Sequence, residues 1–170
     1  DEYVAELQNI FPARTSTNIS VWNPGCGKGY ESYSLSCVMK NKYPNARIKI
    51  WANDNDLLSI SSAPGLQFSQ SEVPGSMQQF LSEGTNGYYF PSEIKDSILF
   101  DYHDILNQNQ FPLVDLIFAR DVLSFLQPHE QERMLQEFRE KLKPHGVLIL
   151  GQNETAFSGG FTLIQEGSIV

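Results

Sequence analysis

A glycine-rich turn between a strand-like and a helix-like segment is the feature that most constrains the fold. Residues 19–22 are β-rich, and Gly25-Cys-Gly-Lys-Gly29 follows them closely. Apolar side chains then recur at helical spacing from Tyr33 to Met39, and the helix should end near Pro44, because the residue before a proline avoids the α region. This order of strand, turn and helix predicts a βα unit, the building block of sheets that helices cover on both faces.

The rest of the chain repeats this alternation. Apolar runs predict further strands over residues 47–52, 98–100, 113–119 and 146–150, with helices beginning after Asp56 and near Pro128. The continuous apolar run at 113–119 is typical of a central parallel strand. The pattern therefore predicts an α/β, doubly wound fold with a mostly parallel sheet, formed by one domain over residues 1–170. An antiparallel hairpin is predicted at 161–165 and 168–170, and the end of a helix at 3–10.

Residues 66–99 interrupt the alternation. Gly, Ser, Gln and Pro dominate the first part of this stretch, and its apolar residues are isolated. The pattern predicts an insertion before the third strand with little regular structure. Because the chain opens at Asp1 without a Met, we expect it to be part of a longer protein.

Charge and cysteine content exclude several classes of protein. Twelve Lys and Arg against twenty Asp and Glu give a net charge of -8, the wrong sign for binding a phosphate backbone, so no nucleic acid partner is expected. Two cysteines make no disulfide framework and no zinc spacing, which favours a reducing, cytoplasmic location. No apolar run reaches the roughly 18 residues that cross a bilayer, so no membrane insertion is expected.

The glycine turn and an acidic residue after the second strand suggest an adenosine site. Without Cβ atoms, Gly25, Gly27 and Gly29 let a ligand approach the main chain at a helix start, although a turn with glycines for packing only is the alternative. Asp54 ends the next strand, where a carboxylate can accept both ribose hydroxyls; helix capping is the alternative, and it suits Asp56 better. The Gly-x-Gly-x-Gly spacing disfavours a nicotinamide dehydrogenase.

Two further acidic or basic segments end predicted strands. After the third strand, the Asp104 carboxylate could take an adenine amino group while Ile105 packs on the ring; a surface loop fits the spacing almost as well. Arg120 and Asp121 end the central strand, on the sheet edge where α/β proteins bind ligands, and a mutual ion pair or simple solvent exposure is the alternative. The three histidines are scattered, and the sequence suggests neither a metal site nor a Ser-His-Asp arrangement.

Five segments, in order, match one family pattern. Trp22-Asn-Pro-Gly-Cys-Gly-Lys-Gly29 is similar to Trp-x-x-Gly-Cys-Ser-x-Gly, and Ala52-Asn-Asp-Asn-Asp56 to Ala-Thr-Asp-Ile-Asp. Residues 100–105, 115–125 and 142–154 supply the other three. Together they resemble the CheR-type chemotaxis receptor methyltransferases, which transfer a methyl group from S-adenosylmethionine to receptor glutamates and leave S-adenosylhomocysteine.

The resemblance implies a fold, a cofactor and a partner. The fold is the Rossmann-like class I methyltransferase domain, with the insertion forming a small β-subdomain that docks some receptors. The family also has an N-terminal helical domain, which we do not expect within this chain. The cofactor-binding residues implied are Gly25, Gly27, Glu31, Asp54, Asp104, Ile105, Ala119 and Arg120, and the candidate catalytic positions near the methyl group are Arg120 and Phe125. The implied partner is a methyl-accepting chemotaxis receptor or a similar protein.

Four positions depart from the family pattern. Tyr30 stands where the family has a glutamate, Phe125 where it has a tyrosine, and Asp104 and Asp121 where it has asparagines. The intact glycine turn and Asp54 favour an active methyltransferase. Tyr30 and Phe125 favour the alternative, a degenerate domain that binds the cofactor or a partner and regulates without catalysis.

Overall fold

A five-stranded parallel sheet forms the centre of the computed structural model, which describes residues 18–73, 75, 77–158 and 160–164. The strands in chain order are β1 (Asn18–Pro24), β2 (Arg47–Asp54), β3 (Gln67–Phe68), β4 (Ser82–Gly84), β5 (Gly87–Tyr89), β6 (Ile98–Tyr102), β7 (Val114–Ala119) and β8 (Leu142–Leu150). The helices are α1 (Tyr30–Lys42), α2 (Leu57–Ser62), α3 (Ser92–Lys95) and α4 (Pro128–Lys141).

The order of the strands in the main sheet is β6-β2-β1-β7-β8, and every pairing is parallel. From β1 the chain first builds outward through β2 and β6, then returns to the other side of β1 to add β7 and β8. The direction of winding thus reverses between β1 and β7, which opens a crevice at the carboxyl ends of these two strands. The doubly wound α/β prediction is confirmed.

Strand β7 lies between β1 and β8 in the sheet, and all six of its residues are buried. Its side chains alternate between two cores. Leu116 and Phe118 face the core under α1, whereas Ile117 and Ala119 face the core under α4. Burial on both faces explains the unbroken apolar run that predicted a central strand.

The two hydrophobic cores contain different aromatic pairs. The core under α4 is built around Trp22, whose ring meets Phe138 edge-on at 5.3 Å between centroids. Both side chains are fully buried. The core under α1 extends into the insertion through Tyr33, which stacks on Phe90 at 4.2 Å with 4° between the planes. Aromatic pairs of this kind add about 0.5–1.5 kcal/mol to the free energy of burial.

Helix α1 begins after Gly29 and ends at Lys42, one residue before Tyr43-Pro44, as predicted. Its buried residues run from Ser32 to Met39 with a single break, because the sheet covers one side and the insertion another. Helix α2 is capped as predicted, since the Asp56 carboxylate accepts the amide of Leu58 at 3.2 Å.

The insertion is more regular than its sequence pattern predicts. It contains a three-stranded antiparallel sheet of order β3-β5-β4, followed by the single turn of α3. Each of these strands has only two or three residues, too few to produce a visible alternation of polar and apolar side chains. Tyr30, in the first turn of α1, contacts Phe68 of β3 at 6.0 Å between ring centroids.

The carboxyl-terminal part of the chain differs from the prediction in two respects. Strand β8 begins at Leu142, four residues before the predicted start at residue 146, and continues through Pro144. Residues 161–164 lie in no strand, and the remainder of the predicted hairpin is outside the described residues, as is the helix end at 3–10. Among the described helices, none combines the length and apolar character needed to cross a membrane.

Candidate functional site

The glycine turn leaves β1 at the point where the sheet reverses its winding. Gly25, Gly27 and Gly29 have φ of +65°, +52° and +86°, the left-handed region that side chains with a Cβ disfavour. The three positions nevertheless have different surroundings. A Cβ on Gly29 would lie 2.8 Å from the Phe100 ring, and one on Gly25 2.9 Å from Val122 Cγ2. A Cβ on Gly27 would meet no atom within 4 Å.

These contacts show that two of the glycines permit close packing and that the third leaves space for a ligand. Gly29 permits the start of α1 to pack on β6, and Gly25 permits contact with the segment after β7. Gly27 alone combines a left-handed backbone with open space beside it, which is what a ligand that approaches the main chain requires. Both roles considered for the glycines therefore occur in the same turn, at different positions.

Asp54, at the end of β2, faces the glycine turn. Its Oδ2 accepts the amide of Gly27 at 2.7 Å, and its Oδ1 accepts the amide of Asp56 at 2.8 Å. A carboxylate offers about four acceptor directions, so these two bonds orient the group and leave acceptor capacity for a ligand. The side chain is half-buried. The structure thus brings together the turn and the carboxylate that the sequence predicts as one adenosine site.

Two buried asparagines hold the strand ends that form this site. Asn23 donates to the carbonyl oxygen of Phe118 at 2.9 Å and accepts from the Ser32 hydroxyl at 2.6 Å, so it joins β1 to β7 and to α1. Asn53 accepts from Trp22 Nε1 at 2.7 Å. Both amides are completely buried, where an unsatisfied polar group would be costly. These bonds fix the width of the crevice.

Cys26 lies inside the turn but has no nucleophilic character. Its side chain is buried, and burial, reinforced by the charge of Asp54, raises the pKa of the thiol to about 12. Burial likewise raises the pKa of Cys37 to about 12. The reactive form of cysteine is the thiolate, so neither thiol is a candidate nucleophile.

Arg120, just after β7, forms an ion pair with Glu31 in the first turn of α1. The distance from Nη1 to Oε1 is 2.8 Å, and the two side chains keep 23% and 31% of their surfaces exposed. Burial raises the pKa of Glu31, although the Arg120 charge opposes the rise. The ion pair links the two sides of the crevice, and it differs from the mutual pairing of Arg120 and Asp121 considered from the sequence.

The segment after β6 lies beside Asp54. The amide of His103 donates to the main-chain oxygen of Asp54 at 3.0 Å. Asp104 and Ile105 follow, both half-buried, and Asp104 Oδ1 accepts the amide of Leu106 at 2.9 Å. The buried amide of Asn109 donates to the oxygen of Ile105 at 2.9 Å and keeps the turn closed. The structure thus places the two predicted adenine contacts next to the predicted ribose contact.

The structure turns one predicted cofactor-binding residue, Ala119, away from the crevice and leaves the predicted catalytic position Phe125 exposed. Ala119 is fully buried and packs in the core under α4, so it exposes no surface to the crevice. The alternation of β7 turns it away, because its neighbour Phe118 faces the opposite core. Phe125 ends the 3-10 helix of residues 123–125 and is 85% exposed. We call residues 120–125 the β7 loop.

A model of the CheR methyltransferase family, its SAM binding domain, matches residues 1–166 of the chain. The chain belongs to the CheR family. The chemotaxis protein methyltransferase 2 of Vibrio cholerae is 27% identical over 160 residues, which cover 88% of this CheR domain and 56% of that protein. The chemotaxis protein methyltransferase of Escherichia coli is 26% identical over 154 residues, covering 83% and 54%. The chain therefore spans about half the length of these relatives.

Solved structures support the fold at low sequence identity. The glycopeptide N-methyltransferase MtfA, solved with S-adenosylmethionine, aligns with a TM-score of 0.59 at 10% identity, over 87% of this CheR domain and 52% of that chain. PKMT2 from Rickettsia typhi, solved with AdoHcy, aligns with a TM-score of 0.56 at 16% identity, over 86% and 24%. The fold of this CheR domain is thus that of class I methyltransferases.

Sequence reasoning assigned no role to Glu154, which the structure places at the carboxyl edge. Its Oε2 accepts the amides of Asp121 and Gly151, both at 2.9 Å. Its Oε1 accepts the amide and the hydroxyl of Ser124, also at 2.9 Å. No local pattern could have revealed these bonds, because the β7 loop lies about thirty residues earlier in the chain. Among the described residues of this CheR domain, no group of three His, Cys, Asp or Glu could hold a metal ion.

Proposed function

We propose that this chain binds S-adenosylmethionine and its product S-adenosylhomocysteine, and that the full-length protein transfers methyl groups to glutamate carboxylates of chemotaxis receptors. The single observation that carries the proposal is the Asp54 carboxylate fixed on the amide of Gly27 at 2.7 Å, at the switch point of the sheet. Membership of the CheR family supports the choice of cofactor. The names of the Vibrio and Escherichia relatives support chemotaxis as the setting.

The residues present fit an adenosine group. Asp54 retains acceptor capacity for ribose hydroxyls, and the open space at Gly27 allows a ligand to reach the main chain. Asp104 and Ile105 offer a carboxylate and an apolar surface beside them. We assign the ribose to Asp54, the adenine to Asp104 and Ile105, and the methionine end to the side of the crevice that Glu31 and Arg120 line. Gly25 shapes the turn and does not touch the cofactor in this assignment.

The chemistry requires positioning more than proton transfer. The cofactor, when bound, supplies a methyl group on a cationic sulfonium. An acceptor glutamate has an ordinary pKa near 4.3 and is already ionised at neutral pH, so the chain needs no general base. Arg120 holds its place through Glu31, and the β7 loop presents its residues at the same edge. Alignment of the acceptor oxygen and exclusion of water are then the main contributions of the protein.

A regulatory domain without catalysis is the second candidate function. It is favoured by Phe125, which lacks a hydroxyl and is 85% exposed at the position where the family pattern has a tyrosine. Tyr30 points the same way, because it replaces a carboxylate of the family pattern and contacts Phe68 of the insertion. A domain of this kind binds the cofactor or only a protein partner; where it binds the cofactor, the two candidates differ only in turnover.

Calorimetry tests the cofactor site. We expect the full-length protein to bind S-adenosylmethionine and S-adenosylhomocysteine, and Asp54→Ala to weaken binding at least about 100-fold, because charge-assisted hydrogen bonds contribute about 1.5–3 kcal/mol each. Asp101→Ala, an exposed carboxylate on β6, serves as the matched control and should bind normally. Absence of heat with either ligand in the wild type would refute the methyltransferase and a regulatory domain that binds the cofactor, and would leave a domain that binds only a protein partner.

Transfer of a labelled methyl group separates the two candidates. With full-length protein and purified receptor fragments, the enzyme proposal predicts label that base releases as methanol, as expected of a glutamate methyl ester. Normal cofactor binding without any labelled receptor would favour the regulatory domain.

A cytoplasmic location accompanies either candidate, because Cys26 and Cys37 are buried thiols that a reducing compartment preserves.

A further inference from the structure

The Glu154 carboxylate accepts four hydrogen bonds, three of them from main-chain amides. Two of its donors, Asp121 and Ser124, belong to the β7 loop, and the third amide is that of Gly151 at the end of β8. A carboxylate that accepts several amides in this way is held more firmly than one that accepts a single neutral donor. Glu154 therefore clamps the loop after β7 to the end of the neighbouring strand.

Buried Val122 and Leu123 anchor the middle of the loop in the core under α4, and Glu154 holds the exposed residues on either side of them. Asp121 adopts φ of +54°, a conformation that costs a residue with a Cβ about 1–2 kcal/mol, so an external contact must maintain it. The approach to β8 is close: a Cβ on Gly151 would lie 2.7 Å from Asp121 Oδ1 and 2.9 Å from its amide nitrogen. Asp121, Ser124 and Phe125 are all exposed, so burial does not fix the shape of these three residues.

Two glutamates thus hold the two ends of one loop. Glu31 pairs with Arg120, at the point where the loop leaves β7 and faces the glycine turn. Glu154 binds Asp121 and Ser124 in the residues that follow, which end in the exposed Phe125. The first contact lies beside the glycine turn, and the second holds the part of the loop that ends in the exposed Phe125, which a protein acceptor can reach.

We propose that Glu154 is a positioning residue for the acceptor: it fixes residues 121–125 in the shape that receives the methyl-accepting side chain, while Glu31 independently fixes Arg120 for the cofactor. The inference rests on the proposed methyltransferase function and deepens it. Loss of the Glu154 carboxylate should therefore impair use of the acceptor much more than binding of the cofactor.

The test uses full-length protein with Glu154→Gln, Ser124→Ala and, as a matched control, Glu132→Gln on the exposed side of α4. Glutamine keeps the size of the side chain but places an NH₂ group against amide donors. We expect S-adenosylhomocysteine affinity within about threefold of wild type and kcat/KM for the receptor at least about tenfold lower in Glu154→Gln. Ser124→Ala removes one of the four bonds and should lower kcat/KM by about two- to fivefold, and Glu132→Gln should match wild type.

Hydrogen exchange on the ligand-free proteins supplies a second readout. The amides of Asp121, Ser124 and Gly151 should exchange at least about tenfold faster in Glu154→Gln than in wild type, with the strands of the sheet unchanged. If Glu154→Gln fails to fold, the same comparison is made with Ser124→Ala at the β7 loop.

The outcomes distinguish this inference from the function on which it rests. Unchanged exchange in the β7 loop, unchanged kcat/KM, or a parallel loss of cofactor affinity and turnover would each overturn the positioning role. A wild-type protein that binds no cofactor or methylates no receptor would overturn the proposed function and with it the acceptor role of Glu154.

Discussion

The glycine turn and the β7 loop occupy equivalent places at the ends of adjacent parallel strands, yet they are held in different ways. Both contain residues with left-handed backbone. The turn uses glycine at each such position, whereas the loop uses Asp121. The turn is closed by main-chain bonds and by Asp54, 27 residues away; the loop is held by Glu31, 89 residues away, and by Glu154, 30 to 33 residues away.

The glycine turn and the β7 loop, which form the two halves of the crevice, are thus specified by the sequence in different ways. On the cofactor side, the backbone itself adopts the required shape, and the need for glycine leaves a signature that is visible along the chain. In the β7 loop, an ordinary sequence is held in shape by two carboxylates from distant segments, Glu31 and Glu154. Changes in the first region should therefore act on stability and cofactor affinity together, and changes in the second on shape alone.

The largest expected effect is a difference in stability between alanine variants at two glycines of the turn. Gly29→Ala should lower the free energy of unfolding by about 2–4 kcal/mol, the sum of left-handed strain and overpacking against Phe100. Gly27→Ala should lower it by only about 1–2 kcal/mol, because its Cβ enters open space, but should weaken S-adenosylhomocysteine binding about tenfold. Urea unfolding and calorimetry measure the two quantities.

Gly65→Ala is the control for this pair, since its Cβ meets no atom within 4 Å and its backbone has no positive φ. It should leave stability and binding near wild type. Equal destabilisation by Gly27→Ala and Gly29→Ala would contradict the division of the turn into an open position and a packed one.

The strands and helices of the main sheet were predictable because each has a local cause. The apolar run of β7 reflects burial on both faces, and the end of α1 reflects Pro44. The small sheet of the insertion was missed because its strands are too short for a period to show. The early start of β8 was missed because Pro144 usually ends a strand; here β8 is at the edge of the described sheet, where a missing amide donor is tolerated.

The candidate site, like the fold, has one part that local sequence predicts and another part that it does not. Gly27, Asp54 and Asp56 lie in short segments whose chemistry follows from position at a strand end, and the structure places them as expected. Ala119 was expected to line the crevice, but the pleat of β7 turns it into the core under α4. The partner of Arg120 and the role of Glu154 depend on contacts across the fold, which spacing along a single sequence does not reveal.

The pH dependence of folding stability tests the ion pair at the start of the β7 loop, and the expected effect is smaller. Burial raises the pKa of Glu31 in the folded chain above its ordinary value of 4.5, so the folded state holds this proton more tightly than the unfolded state. Stability relative to Glu31→Gln should therefore be greatest below that value and fall as pH rises through the raised pKa. Urea unfolding of the wild type and Glu31→Gln across this window measures the change. A relative stability that instead rises with pH would show that Arg120 outweighs burial.

The smallest effect concerns the left-handed residue of the β7 loop. Asp121→Gly relieves strain of about 1 kcal/mol in the folded state but increases the entropy of the unfolded chain by a similar amount of free energy. Stability should stay within about 0.5 kcal/mol of wild type, in contrast to the losses from Gly→Ala in the turn. A loss above about 1 kcal/mol would mean that the Asp121 side chain itself maintains the loop.

The deep placement of both thiols makes the chain suited to fluorescent labelling. Cys26 and Cys37 are the only cysteines in the sequence, and both keep 5% or less of their surface exposed. Their high pKa suppresses alkylation at neutral pH. A single cysteine introduced at Phe125 would therefore take up a maleimide dye selectively, with the native thiols left in place. The arrival of a receptor at this edge could then be followed in real time by a reporter on the β7 loop.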